Sequence, residues 1–324
     1  MSTVDSIKAP IKEEMKNFQP YFKTYLKSKA SLLNIIINYI LKRKGKQMRP
    51  MLVFLVARLN GEVNESTYHA ASLIELMHTA TLVHDDVVDD SNMRRGYFSV
   101  NALWKNKIAV LLGDYLLAKG LLLAVHNEEF ALLKIVSQAV EEMSEGELIQ
   151  IEKARKLDID EETYFEIIRK KTAALMVACT AAGTHSVGVN GSAMEQMKEF
   201  GECLGMAFQI RDDLFDYDRN GSYGKPSGND IKERKMTLPF IHALNNCKPK
   251  EKSQILRMMR KKNKSIEMVD YIMDFVKSYG GIEYASVIMN DYKNKALNIL
   301  SEFPQNEANH SLVQLVEYTI SRKK

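Results

Sequence analysis

Two short runs of this chain concentrate carboxylates at a helical spacing. His84-Asp85-Asp86-Val87-Val88-Asp89-Asp90 is followed by Arg94 and Arg95, and Gln209-Ile210-Arg211-Asp212-Asp213-Leu214-Phe215-Asp216 is followed by Lys225 and Lys235. Each contains D-D-x-x-D, whose first and last members point the same way in a helix, one turn apart. Clustered like charges repel and gain nothing from one another without a cation. Carboxylate oxygens so arranged suit Mg²⁺, and the basic residues downstream suit the outer oxygens of a diphosphate bridged by the metal. Both runs close long apolar stretches, where carboxylates oppose the helix dipole, and a bound metal would offset that cost. The chain has neither GxxxxGK[ST] nor GxGxxG, so nothing points to a nucleotide.

Other residues add to this pair. In Gly45-Lys46-Gln47-Met48-Arg49-Pro50, proline at the first helical position would set Lys46 and Arg49 near a helix N-terminus, a natural anion site. His78 lies two helical turns before Asp85, on nearly the same face; taken alone, such a histidine also fits a structural role. Lys171-Thr172 falls inside an apolar helical segment, where the lysine could simply extend to water.

The elements that must position these residues read as helices. Leu52, Leu55, Val56 and Leu59 share one stripe, as do Leu73, Leu76, Met77, Ala80 and Val83, and the segments 108–126, 128–155, 161–182 and 192–218 follow the same period. The prolines, Pro20 among them, fall near expected element ends, and no run alternates as a strand does. The expected fold is all-α: a single domain, residues 1–324, of roughly a dozen helices around a central cavity.

At 324 residues, 45% hydrophobic and 27% charged, the chain has ample material for a core, and a net charge of +4 is too small to imply nucleic acid. The basic run from Lys42 to Lys46 lacks the interleaved aromatics of a nucleic-acid module. Three dispersed cysteines, Cys179, Cys203 and Cys247, read as reduced thiols. With no signal or transit pattern, and an early apolar stretch (Leu32 to Leu41) too short to span a bilayer, a soluble cytoplasmic protein without a transmembrane segment is expected.

Taken in order, these motifs resemble the trans-type polyprenyl diphosphate synthases, the head-to-tail isoprenyl transferases. Gly45 to Pro50 is similar to that family's G-K-x-x-R-P element, His84 to Gly96 to its first aspartate-rich motif, and Lys171-Thr172 to its K-T pair. Phe208 to Asp216 is similar to the second aspartate-rich motif, and Gly224-Lys225-Pro226 with Asp230 and Lys235 to the loop after it. Glu145-Gly146-Glu147 stands where many relatives carry Gly-Gln, although long-chain members often have Glu there. The last 80 residues carry no motif.

The resemblance implies condensation of isopentenyl diphosphate onto an allylic diphosphate held by three Mg²⁺. Asp85, Asp89 and Asp212 would be the chief ligands, with Asp216 and Asp86 in support. Arg94, Lys171, Lys225 and Lys235 would hold the allylic diphosphate, and Lys46, Arg49, His78 and Arg95 the isopentenyl one. Lys171, Thr172 and Gln209 would face dipoles toward the allylic cation. A homodimer, and transient membrane contact during product release, are expected by analogy.

Short-chain members put bulky aromatics one turn before the first aspartate motif. Ala80 and Thr81 stand there, so an open tunnel and a medium- or long-chain product, as for a quinone side chain, are expected, with Leu117, Leu121 and Leu122 as its floor. The alternatives are a short-chain farnesyl or geranylgeranyl synthase, a class I terpene cyclase and a non-catalytic synthase subunit. A cyclase does not need the isopentenyl grip of Lys46, Arg49 and Arg95, and a non-catalytic subunit would be expected to lose a carboxylate cluster.

Overall fold

The structure is a computed structural model, and it describes residues 3–42, 46–94, 96–218 and 228–321, without the side chains of Thr3, Arg94, Arg155 and Lys156. Among these residues the fold is all-α. The first half holds α1 (Thr3–Ile7), α2 (Lys12–Leu26), α3 (Ser31–Leu41), α4 (Met48–Asn60), α5 (Glu65–Val88), α6 (Val100–His126) and α7 (Phe130–Lys156). There follow α8 (Glu161–Ile168), α9 (Ala174–Ser186), α10 (Ser192–Phe215), α11 (Asn229–Lys232) and α12 (Leu238–Asn246). The chain closes with α13 (Pro249–Arg260), α14 (Ile266–Ser278), α15 (Gly281–Ser301) and α16 (Glu307–Ser321).

Local chemistry sets several boundaries. Asn64 and Thr67 form a reciprocal capping box that starts α5, while Ser99 and Asp160 cap α6 and α8 through the amides of Ala102 and Thr163. Gln47 takes a left-handed conformation (φ 54°) just before α4, so that helix begins at Met48 and Pro50 is its third residue rather than its first. The proline still falls in the first turn, where its missing N–H has no intrahelical partner to lose. Pro20, expected near a helix end, lies inside α2, which forgoes one backbone hydrogen bond there.

Two further departures have local causes. A two-residue antiparallel ribbon, β1 (Met93–Arg94) with β2 (Tyr97–Phe98), pairs Met93 with Phe98 and Arg94 with Tyr97; strands this short leave no alternation to read. The segment expected as one helix from 161 to 182 is divided by a π-helical turn, Arg169–Ala173, in which the Ala174 amide bonds the Arg169 carbonyl five residues back.

The described residues group into two compact units, and the divisions between them fall within helices except the one after residue 302, which lies between α15 and α16. The first comprises residues 1–140, 178–198 and 303–312, the second 141–177, 199–302 and 313–324. In the first, α4 is buried on nearly every side, with Met51 through Ala57 almost wholly inaccessible, and α5 packs along α6. In the second, the core gathers Ile210, Leu238, Phe240, Ile241, Ile272 and Val276 among others, with α12 against α14 and α15.

α6 spans 27 residues and contains an 18-residue window of mean hydropathy 2.0, long and apolar enough by composition to cross a membrane. Of that window 39% is buried within the fold, and a single such helix does not by itself make a membrane span. One side of α6 packs on α5, and Lys105 (φ 70°) interrupts its helical path.

Candidate active site

In the first unit, α5 delivers its carboxylates where the spacing requires. Asp85 and Asp86 lie in its last turn and Asp89 caps it, its amide bonding the Asp85 carbonyl at 2.8 Å. Asp85 is half-buried and Asp89 exposed, whereas the middle member, Asp86, is buried. The two outer carboxylates share a face open to solvent, and Asp86 is turned inward. His84, at the head of the motif, lies directly over α6, with Nε2 3.3 Å from the Val110 carbonyl oxygen. Only a glycine at position 113 permits this, since a Cβ there would stand 2.1 Å from His84 Nε2.

The same pairing fixes the wall below the motif. A Cβ on Gly120 would meet Met77 and Leu73 at 3.1 and 3.2 Å, so His84 packs at Gly113 and Met77 at Gly120. Ala80 and Thr81 therefore fall opposite Leu116 and Leu117. Ala80 and Leu116 are buried, and Thr81 and Leu117 half-buried. Leu121 and Leu122, expected as a tunnel floor, are 46% and 48% exposed on the far side of α6. From residue 109 onward the α6 positions that do face inward are Ala109, Leu112, Gly113, Leu116, Gly120, Leu123 and Ala124. Beside Ala80, Thr79 and Leu116 join Phe22, Leu26, Ile37, Ile40 and Leu41 around an apolar cleft enclosing about 260 Å³ of open space, part of it solvent.

Lys46 is exposed just before α4, Arg49 is half-buried in its first turn, and His78 is buried on α5. Arg94 lies in β1, with its side chain outside the described set; Arg95 and Lys225 lie outside the described residues.

In the second unit, α10 ends with the other motif. Asp212 is exposed, Asp213 buried and Asp216 half-buried, so the middle aspartate again points inward. Asp216 accepts the amides of Asn229 (2.8 Å) and Asp230 (2.9 Å), one on each oxygen, and so caps α11. Burial raises its pKa against the pull of those two amides. Each oxygen retains a lone pair for a metal.

Asp213 anchors a chain of four side chains. The Tyr164 hydroxyl donates to Asp213 Oδ2 at 2.7 Å, and Gln209 Nε2 donates to Oδ1 at 2.8 Å. The Thr172 hydroxyl donates to Gln209 Oε1 at 2.8 Å. Burial, and then the charge of Asp230, push the Asp213 carboxyl up to about 7 while the hydrogen bonds from Tyr164 and Gln209 oppose the shift. The network fixes the orientation of the Gln209 amide and spends the Thr172 proton on it, so the hydroxyl's lone pairs remain available.

Lys171 and Thr172 lie within the π-helical turn, a geometry frequent at functional sites. Two helices close on it. A Cβ on Gly146 of α7 would fall 2.9 Å from the Lys171 nitrogen, and one on Gly205 of α10 would fall 2.5 Å from the Ala173 Cα. Lys171 pairs with Glu147 and donates to Gln150 Oε1 at 3.3 Å. Lys235 pairs with Glu233 (2.6 Å) and Asp230 (3.7 Å); although burial opposes its charge, these carboxylates push its pKa up to about 12. Sequence reasoning did not single out Tyr164, Gly113 or Gly205. The glycines had a usable signal, since an isolated glycine inside a helical pattern often marks close approach.

Among the described residues no three His, Cys, Asp or Glu side chains cluster as a self-sufficient metal site. The pairs present, Asp85 with Asp89 and Asp212 with Asp216, suit Mg²⁺, which typically takes one or two carboxylates and completes its shell with phosphate oxygens and water.

Residues 30–276 match the polyprenyl synthetase family. The chain belongs to this family. As a polyprenyl synthetase it is a prenyltransferase enzyme of isoprenoid biosynthesis. It is 33% identical over 298 residues to the octaprenyl diphosphate synthase of Escherichia coli strain K12, covering 92% of each chain. A solved polyprenyl synthase from Caulobacter crescentus, complexed with calcium and isoprenyl diphosphate, superposes with a TM-score of 0.90 at 30% identity, covering 99% of this chain and 98% of that one. The geranylgeranyl pyrophosphate synthase of Bacteroides thetaiotaomicron gives 0.84 at 38% identity, covering 99% of this chain and all of that one.

Proposed function

We propose that this polyprenyl synthetase condenses isopentenyl diphosphate head-to-tail onto an allylic diphosphate and makes a medium- or long-chain all-trans product. The observation that carries the reading is the repeated arrangement of two carboxylates one turn apart, each more exposed than the aspartate beside the first, at the C-terminal ends of α5 and α10. Asp85, Asp89 and Asp212 would hold Mg²⁺ through direct carboxylate contacts, and Asp216 would do so with the lone pairs its amide bonds leave. Mg²⁺ there supplies Lewis acidity that stabilises charge on the departing diphosphate. Three ions are proposed, and the calcium of the Caulobacter enzyme supports a divalent cation.

The remaining residues bind and orient. Lys171, Lys235, Arg94 and Lys225 hold the allylic diphosphate, and Lys171 leaves Glu147 to do so. Lys46, Arg49, His78 and Arg95 grip isopentenyl diphosphate and aim its double bond at the allylic carbon. Thr172 and Gln209 present oxygen lone pairs to the developing cation, and the Lys171 carbonyl adds a third dipole. The proton goes to the departed diphosphate, so no side chain need act as a general base.

Ala80 supports the longer product, because a methyl group stands where short-chain members of the family carry a bulky aromatic. The E. coli relative is an octaprenyl synthase, which agrees; the Bacteroides likeness keeps a geranylgeranyl product as the second reading. A homodimer is also proposed. Leu103, Val110, Leu111, Leu121, Leu122 and Val125 form one exposed apolar stripe along α6 that a second copy would cover. We take the setting to be cytoplasmic, in keeping with three free thiols.

The test is diphosphate release from farnesyl diphosphate, with and without isopentenyl diphosphate. Release that requires isopentenyl diphosphate supports the synthase. Release without it identifies a cyclase, and no release under either condition identifies a non-catalytic subunit.

A further inference from the structure

The outward face of α3 is unusual for a surface helix. Its eleven residues, SLLNIIINYIL, form a short, strongly apolar helix, and Leu32 and Ile35 are 46% and 58% exposed. Exposed lysines stand at both ends, Lys27 and Lys29 before it and Lys42 after it. Asn34 holds the preceding loop against the helix, accepting the Ser28 amide at 3.1 Å and donating to the Ser28 carbonyl at 2.7 Å. At the other end the Tyr39 hydroxyl donates to the Phe98 carbonyl (2.8 Å), and the Tyr39 and Trp104 rings meet edge to face at 5.0 Å. The exposed rings of Tyr97 and Phe98 extend the patch there.

Charge decides what this face can meet. From Met15 to Gly61 the chain contains seven Lys and three Arg and not one Asp or Glu. A second copy related by a two-fold axis through this face would bring the same cations against themselves. An RNA or DNA backbone would answer the charge but not the protruding leucine and isoleucine. An anionic bilayer answers both, with acyl chains for Leu32 and Ile35, headgroup phosphates for the lysines and an interfacial level for the aromatic rings.

We propose that α3 is a membrane-docking helix that lies in the plane of an anionic lipid surface, with Leu32 and Ile35 inserted and Lys27, Lys29 and Lys42 on the headgroups. Eleven residues span about 16 Å, too short to cross a bilayer but long enough to lie on one. The inner side of the same helix supplies Ile37, Ile40 and Leu41 to the apolar cleft that also contains Thr79, the neighbour of Ala80. Docking would thus bring a lipid surface beside an apolar space near the wall along which a long product is proposed to grow. That purpose rests on the long-chain reading, whereas the docking itself does not.

The experiment is co-sedimentation of the full-length protein with vesicles of phosphatidylglycerol and phosphatidylcholine, against vesicles of phosphatidylcholine alone. Binding to the anionic vesicles should weaken as salt rises. Lys27→Gln/Lys29→Gln/Lys42→Gln should weaken it by roughly fivefold per lysine removed. Leu32→Ser/Ile35→Ser should weaken it at least tenfold while leaving diphosphate release in detergent solution unchanged. If the serine variant proves unstable, the lysine variant decides alone. Three results would each overturn the proposal: no binding to anionic vesicles at low salt, equal binding by the variants, or a serine variant that turns from dimer to monomer by light scattering. Loss of docking with intact turnover leaves the synthase reading untouched, and loss of turnover in the wild type leaves docking measurable.

Discussion

Tyr164→Phe removes a single oxygen, yet it should be felt at the reacting carbon. The Tyr164 hydroxyl is buried and donates to the buried carboxylate of Asp213, whose other oxygen holds the amide of Gln209. Above pH 7, where the Asp213 carboxyl is ionised, a hydrogen bond to it contributes about 1.5–3 kcal/mol, and its loss inside the core leaves Asp213 short of a donor. Unfolding by urea should therefore show a loss of that size. With Asp213 free to rotate, the Gln209 amide loses its anchor, and with it the acceptor that orients Thr172. Loss of such a supporting hydrogen bond typically costs ten- to a hundredfold in activity, and about tenfold in kcat is expected here. The KM for isopentenyl diphosphate should not move, because Lys46 and Arg49 lie at the start of α4 and His78 on α5, outside this network. Combining Tyr164→Phe with Gln209→Ala should cost no more in kcat than Gln209→Ala alone, since both act through one amide. Additive effects on kcat, or a stability loss with kcat unchanged, would refute the coupling and leave Tyr164 a packing residue.

Gly205→Ala gains about 1 kcal/mol of helix propensity but sets a methyl 2.5 Å from the Ala173 Cα. Overpacking against backbone costs about 1–3 kcal/mol, so a lower melting temperature by calorimetry is expected, with a fall in kcat because Thr172 adjoins the displaced residue. Ala80→Phe should shorten the product, read by mass spectrometry, with the initial rate of isopentenyl incorporation largely kept; unchanged length would remove Ala80 from the tunnel. Asp85→Asn and Asp212→Asn should each lower kcat by roughly a hundredfold or more. Neither should lower the melting temperature of the substrate-free protein, since each removes a negative charge from a helix C-terminus. EDTA should abolish turnover without unfolding the protein, as followed by circular dichroism, and Mg²⁺ should restore it.

Much of this was legible from types and spacing. The D-D-x-x-D repeat places the first and last aspartates together by helical geometry alone, and the outward aspartates and inward Asp86 and Asp213 follow from the same period. Lys46 and Arg49 could be placed at a helix start because Pro50 marks one, even though the helix begins two residues earlier. What escaped was long-range. No local pattern says that Tyr164 reaches Asp213 across 49 positions, or that Asp216 spends both oxygens on the amides of α11. The π turn at Lys171 was hidden because its apolar period continues on either side. That Leu121 and Leu122 lie on the exposed side of α6 escaped because a leucine-rich helix gives no sign of which side meets α5; the glycines at 113 and 120 mark that side.

The most direct measurement is the mass of the product formed from isopentenyl diphosphate and farnesyl diphosphate in the presence of Mg²⁺. The expected result is an all-trans polyprenyl diphosphate extended by several isoprene units beyond geranylgeranyl, formed only when the metal and both diphosphates are present. A product that stops at geranylgeranyl would contradict the long-chain reading of Ala80, and a product formed without isopentenyl diphosphate would contradict the proposed two-diphosphate site.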